Sequence, residues 1–125
     1  MGFELRSNFR IRARLNRKTF LKILTYQSVL HQYNINAIGP LRLARGVQPR
    51  MIKGSKFGIV TGAIGSIGET KFGGYYGYKM SKTAANSAGK VISMDWKTRP
   101  GVAVAMIHPG YVRTGETQFL FPFVN

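Results

Sequence analysis

Across 125 residues the chain carries nineteen Lys and Arg against four acids, Glu4, Glu69, Asp95 and Glu116, for a formal charge of +15. Its 44% of apolar residues can build a core, which argues against wholesale disorder, and the absence of cysteine excludes disulfides and cysteine-based zinc sites. No run approaches the ~18 uninterrupted apolar residues of a membrane span, and the surplus of positive charge points to an anionic partner such as nucleic acid, an acidic membrane surface or an anionic cofactor.

The charge is concentrated at the start. Arg6, Arg10, Arg12, Arg14, Arg17, Lys18 and Lys22 crowd the opening stretch against Glu4 alone. Residues 1–25 therefore read as a basic leader of unknown role. Arg-rich, acid-poor composition is that of an organelle transit peptide, and it equally suits a nucleic-acid arm or sequence joined to a truncated domain. Phe3, Leu5, Phe9, Ile11, Ala13 and Leu15 are spaced nearer two than 3.6, so an amphipathic helix is not indicated. The expected location is the cytoplasm, with an organelle address through the leader as the alternative.

From Tyr26 the pattern becomes that of an alternating α/β chain. Residues 26–48 suit a helix with Val29, Leu30, Tyr33, Ala37 and Leu41 on one side, disturbed by Gly39-Pro40. KGSK (53–56) is a turn and FGIVT (57–61) a short apolar strand. Five glycines between Gly62 and Gly74 predict a loop. Residues 76–97 read as a long helix ending before Arg99-Pro100-Gly101. VAVAMI (102–107) is continuously apolar, the mark of a parallel strand covered on both faces, and HPG (108–110) ends it. Strand, loop, helix and strand make a βαβ unit, in which ligands bind beyond the carboxyl ends of the strands, at residues 62–74 and 108–116.

The stretch GIVTGAIGSIG (58–68) admits two readings. As a phosphate-cradling loop it requires a helix opening at Ser66 or Ile67 and an acidic residue ending another strand about 20 residues on. The residues that follow, ETKFGGYYGY, hold paired glycines, and the region near residue 88 reads as helix, with no acid between Glu69 and Asp95. The phosphate-loop reading fails on that context.

The second reading rests on four motifs in order. YKMSK sets Tyr78 and Lys82 four apart, on one helix face. It is preceded by the glycine loop, by NAIG (36–39) further back, and is followed by IHPGYVRT (107–114). From about Tyr33 to Thr114 this order resembles the short-chain dehydrogenase/reductase family, with GSIG…GGYYGYKMSK similar to its C-factor and sniffer-like branch. A lone YxxxK is weak; the four together at these separations are specific. Tyr75 and Lys79 form an overlapping YxxxK, but only the 78/82 pair has a serine directly before the lysine.

The resemblance implies the later half of a Rossmann-like, doubly wound parallel domain over residues 26–118, and an NAD(P)-dependent oxidoreductase moving hydride to or from a carbonyl or alcohol carbon. It implies NADP or NAD as cofactor, Tyr78, Lys82 and Asn36 as catalytic and cofactor-binding residues, and Pro109, Gly110, Val112 and Thr114 as cofactor contacts. Lys82 would hold the nicotinamide ribose and Asn36 would support a water-linked proton path. A tyrosine of pKa ~10 is a poor base at neutral pH, and an adjacent ammonium lowers that value. In the family's register Gly62 occupies the catalytic serine position, a departure for which Ser66 or Thr61 would have to compensate. Ser81, Ala84, Ala85, Ala88 and Gly89 allow close helix approach, either within the chain or in a homo-oligomer.

The resemblance gives no counterpart to the first βαβ half, with its phosphate loop and cofactor-selecting residue. The expectation is therefore a truncated enzyme, possessing the residues for hydride-transfer chemistry but not established as active alone. Residues 119–125 form a short apolar tail. The rival reading is an inactive, basic module derived from the family, in which Tyr75, Tyr76 and Tyr78 with Lys71, Lys79 and Lys82 bind nucleic acid or another anion.

Overall fold

The computed structural model describes residues 21–99 and 101–110. The basic leader up to residue 20, Val112, Thr114 and the apolar tail 119–125 lie outside the described residues. Among those described, no helix is long and apolar enough to cross a membrane.

The helix expected over 26–48 forms in three joined pieces: α1 (Tyr26–Tyr33), a π-helical segment (Asn34–Ile38) and α2 (Gly39–Val47). Pro40 explains the joint. It lacks the N–H that would bond the Asn36 carbonyl, and its ring crowds that turn. The chain widens by one residue instead, so that the Gly39 N–H reaches back to the Asn34 carbonyl.

The expected apolar side is buried only in part: Ala37 is buried and Val29 half-buried, but Leu30 is 63% exposed and Tyr33 and Leu41 are exposed, while Gln32 and Ala44, outside that side, are buried. The cause is the neighbour. Helix α3 (Tyr76–Asp95) crosses α1 so closely that a Cβ on Gly77 would stand 3.1 Å from the Val29 Cα. There is no room at that crossing for a row of leucines.

Strands β1 (Lys56–Val60) and β2 (Ala103–Ile107) pair in parallel, Lys56 with Ala103 through Val60 with Ile107, with α3 as the crossover between them. Their ends are extended by the Ala103 N–H to the Ser55 carbonyl at 3.0 Å and the Thr61 N–H to the Ile107 carbonyl at 2.9 Å. β1 alternates strictly: Phe57 and Ile59 are buried, and Lys56, Gly58 and Val60 are exposed. The core joins Phe57 and Ile59 to Ala85, Ile92 and Trp96 of the crossover and to Ala44 of α2. Trp96 meets the Phe57 ring edge-on, centroids 5.5 Å apart, a favoured aromatic geometry.

The expectation for VAVAMI is corrected in one respect. It is a parallel strand, but not one covered on both faces: Ala103, Ala105, Met106 and Ile107 are exposed. A parallel strand is covered only where strands flank it and helices lie on both faces, and the described sheet has two strands with α3 against one face.

Candidate active site

The site assembles where β1 ends. After Thr61, whose side chain is buried, Gly62 continues in extended backbone, φ −170° and ψ 162°. The chain then tightens into a single 3-10 turn, Ala63–Gly65, closed by the Gly65 N–H to the Gly62 carbonyl at 2.9 Å. No regular helix opens at Ser66 or Ile67; α3 begins at Tyr76, as the rejection of a phosphate loop requires.

Of the two overlapping tyrosine–lysine pairs, the structure sets only one side by side on the helix. Tyr75 precedes α3 in the left-handed region, φ 55° and ψ 35°. Lys79 is engaged elsewhere: its Nζ donates to the Phe72 carbonyl and lies 4.0 Å from the Phe72 ring centroid. Tyr78 and Lys82 both lie in the first two turns of α3, with Lys82 Nζ 5.7 Å from the Tyr78 ring centroid. The same Nζ donates to the Val60 carbonyl at 3.4 Å, at the carboxyl end of β1. Burial of the amine lowers the Lys82 pKa from its ordinary 10.5, because removing an ammonium from water disfavours its charged form.

Asn36 lies in the π segment. Its Nδ2 donates to Ser81 Oγ at 3.0 Å, and the Ser81 hydroxyl donates to the Tyr78 carbonyl at 2.8 Å. Ser81, with none of its surface exposed, thus links Asn36 to the turn of α3 that carries Tyr78. The Asn36 side chain is committed to this link. Its backbone carbonyl is the one that the Pro40 nitrogen, having no N–H, cannot bond.

Pro109 and Gly110 follow β2 and are exposed, Gly110 with φ +76°. His108 stands at the end of that strand, its Nδ1 4.0 Å from the place a Cβ on Gly62 would occupy. That Cβ would meet Ile64 at 3.8 Å, an ordinary contact. The Cβ of a side chain therefore fits at position 62 without moving its neighbours.

Of the aromatic and basic residues between 71 and 82, Lys71 and Phe72 are exposed. Tyr75, Tyr76 and Tyr78 are half-buried, Lys79 is tied to Phe72 and Lys82 to Val60. A hollow of about 200 Å³ between Ile64, Thr70, Phe72 and Lys79 lies beside the loop. Neither Tyr78 nor Lys82 lines it. The small-residue stripe divides: Ser81, Ala85 and Gly89 are used inside the chain, while Ala84 and Ala88 are half-buried.

The sequence pattern of short chain dehydrogenases matches residues 13–124. The chain belongs to this family. This short-chain dehydrogenase chain is 42% identical over 95 residues to the 1-hydroxy-2-glutathionyl-2-methyl-3-butene dehydrogenase of Rhodococcus sp. (strain AD45), covering 76% of this chain and 42% of that protein. It is 35% identical over 91 residues to the C-signal protein of Myxococcus xanthus, covering 71% of this chain and 54% of the relative. Among solved structures, the carbonyl reductase Sniffer of D. melanogaster superposes with a TM-score of 0.72 at 25% identity, over 79% of this chain and 45% of that one. A carbonyl reductase of Pseudomonas aeruginosa PAO1 in complex with NADP shares the fold, with a TM-score of 0.67 at 22% identity over 82% of this chain and 46% of the other. The short-chain dehydrogenase chain thus spans about half the length of the relatives it matches.

Two residues escaped the sequence reading. Gly65 and Thr83 join the loop to α3, with the Thr83 Oγ1 2.9 Å from the Gly65 carbonyl. No periodicity marks either, since the contact depends on where the loop lands.

Proposed function

We propose that residues 26–118 form the later half of an NAD(P)-dependent short-chain dehydrogenase/reductase site acting on a small carbonyl or alcohol. The observation that carries this reading is the placement of Lys82 Nζ between the Tyr78 ring and the Val60 carbonyl, at the carboxyl end of a parallel strand. Half-buried tyrosine and lysine at that end suit the nicotinamide–ribose part of a dinucleotide, while the described loops offer no cradle for its pyrophosphate.

When bound, the nicotinamide supplies or accepts the hydride. Tyr78 gives a proton to the substrate oxygen in reduction and removes it in oxidation. Lys82 acts by charge. Its ammonium favours the phenolate form, and its N–H groups are placed to hold the ribose hydroxyls. Asn36 fixes this turn of α3 through Ser81, and its backbone carbonyl would seat a water for proton exchange. Pro109 and Gly110, with Val112 and Thr114, would close over the nicotinamide amide.

Gly62 leaves the substrate oxygen without the hydroxyl that the family places there. Loss of one such donor typically costs about 10²–10³ in rate. Gly62→Ser is accordingly expected to raise turnover by about 10² at unchanged fold stability, measured by carbonyl-dependent NADPH oxidation. No gain would show that another group already occupies that role.

Titration with NADH and NADPH, followed by fluorescence at two salt concentrations, tests the reading directly. Saturable binding that the Tyr78→Phe/Lys82→Ala double variant abolishes is expected. Binding that fades with salt and is shared by any polyanion would overturn it.

A further inference from the structure

Two consecutive residues of α3 hold the two ends of the strand-to-loop corner. Lys82 Nζ donates to the Val60 carbonyl at the end of β1. Five residues on, the Gly65 carbonyl lies 2.9 Å from Thr83 Oγ1. Between these anchors the Gly65 N–H closes the turn on the Gly62 carbonyl. The result is a closed ring running from Lys82 through Val60, Gly62 and Gly65 to Thr83, and by one peptide bond back to Lys82.

The fit is close. A Cβ on Gly65 would stand 2.9 Å from both the carbonyl carbon and the carbonyl oxygen of Lys82, backbone atoms that cannot swing aside. The loop backbone therefore lies directly on the turn of α3 that carries Lys82.

A threonine inside a helix commonly returns its hydroxyl to the carbonyl four residues earlier. Thr83 has that partner too, the Lys79 carbonyl at 2.9 Å. Its single proton is thus shared between a carbonyl of its own helix and one on the loop, 18 residues away. A second hydroxyl holds the next carbonyl, Thr70 Oγ1 donating to Ser66 O at 3.0 Å.

We propose that Thr83 is a positioning residue for the Tyr78–Lys82 site, its hydroxyl pinning the Ala63–Gly65 turn to α3 and so fixing Gly65 against Lys82, and with it the corner that holds Gly62. Its role in turnover rests on the hydride-transfer reading; the clamp itself does not. Displacing a reacting geometry by about 1 Å can cost 10² in rate, which gives the hydroxyl a kinetic consequence beyond its share of stability.

The test compares Thr83→Val, which keeps the shape and removes the hydroxyl, with Thr83→Ser, which keeps the hydroxyl. Hydrogen exchange at the Gly65 and Ser66 amides is read alongside NADPH-dependent carbonyl reduction. Thr83→Val is expected to speed exchange at these two amides about fivefold, as loss of one net hydrogen bond would, while amides of β1 are unchanged. It should lower kcat about tenfold or more with little change in the KM for NADPH, and Thr83→Ser should restore both. Exchange in Thr83→Val equal to that of the unaltered chain, or Thr83→Ser as impaired as Thr83→Val, would overturn the clamp. If exchange responds but kcat does not, the positioning role fails. Absence of turnover in the unaltered chain counts against the hydride-transfer reading, and the exchange comparison then decides the clamp alone.

Discussion

Helix α3 and the α1–α2 helix are of similar length and lie against each other, yet α3 buries a regular row of small residues where α1–α2 buries three scattered ones, Gln32, Ala37 and Ala44. On α3 the smallest residues go inward: Gly77, Ser81, Ala85 and Gly89 are buried along one face, with Ile92 closing it. On α1–α2 the large residues stay outside, Tyr26 and Leu30 most of all. The difference shows that backbone distance, not side-chain hydropathy, decides the inward face where elements approach closely. Large apolar side chains then come from the partner, as Phe57 and Ile59 of β1 do beneath α3. It also explains where the site sits. It is α3 that brings a lysine amine, that of Lys82, to the strand's last carbonyl.

The sharpest way to break this contrast is to enlarge the loop residue that lies closest against one helix and trim an outward residue on the other. Gly65→Ala drives a methyl into the Lys82 backbone and is expected to destabilise by about 1–3 kcal/mol, the usual cost of overpacking. Leu30→Ser, on the outward side, should change stability by no more than about 0.5 kcal/mol. Urea unfolding midpoints read both. A large loss at Leu30 would mean that the outward face of α1 is covered in solution.

Asn36→Ala probes the seam between the two helices. It removes the donor to Ser81 Oγ, and a loss of about 1 kcal/mol is expected in the same experiment. Ser81 keeps its own bond to the Tyr78 carbonyl, so the loss should stay near that figure. Unchanged stability would show that the link carries nothing.

The smallest effect sharpens the contrast by charge. Burial lowers the Lys82 pKa below 10.5. Between the lowered value and 10.5 the unfolded chain holds more protons than the folded one, so folding stability rises with pH across that window. Lys82→Met is expected to flatten this rise when midpoints are compared at pH values stepped up to 10.5. An unaltered slope would place the lysine in water.

Much of the secondary structure was legible because its punctuation is local. The helix expected over 76–97 is observed as Tyr76–Asp95 followed by a 3-10 turn to Thr98, and each strand falls within one residue of its expected bounds. Glycine pairs and Arg99-Pro100-Gly101 mark these ends chemically. The choice of Tyr78 with Lys82 over Tyr75 with Lys79 was also readable, from the serine before the lysine. The structure gives it a physical counterpart in the left-handed Tyr75 and the Lys79 contact to Phe72. What stayed hidden depends on other parts of the chain. The π segment needs the position of Pro40 relative to Asn36, and the openness of β2 depends on how many strands flank it. The burial of Ser81 depends on Asn36 arriving from an element 45 residues away.

The parallel ladder has a further consequence for how the chain assembles. Every rung, from Lys56 with Ala103 to Val60 with Ile107, joins residues lying on opposite sides of the whole crossover. The bond from Thr83 to Gly65 spans only 18 residues. Closing a short segment costs less chain entropy than closing a long one, and distant parallel pairings are the slowest to form. The corner between β1 and α3 is therefore a cheaper contact to make first than the ladder. Once it is made, β2 has a shorter search for its place along β1.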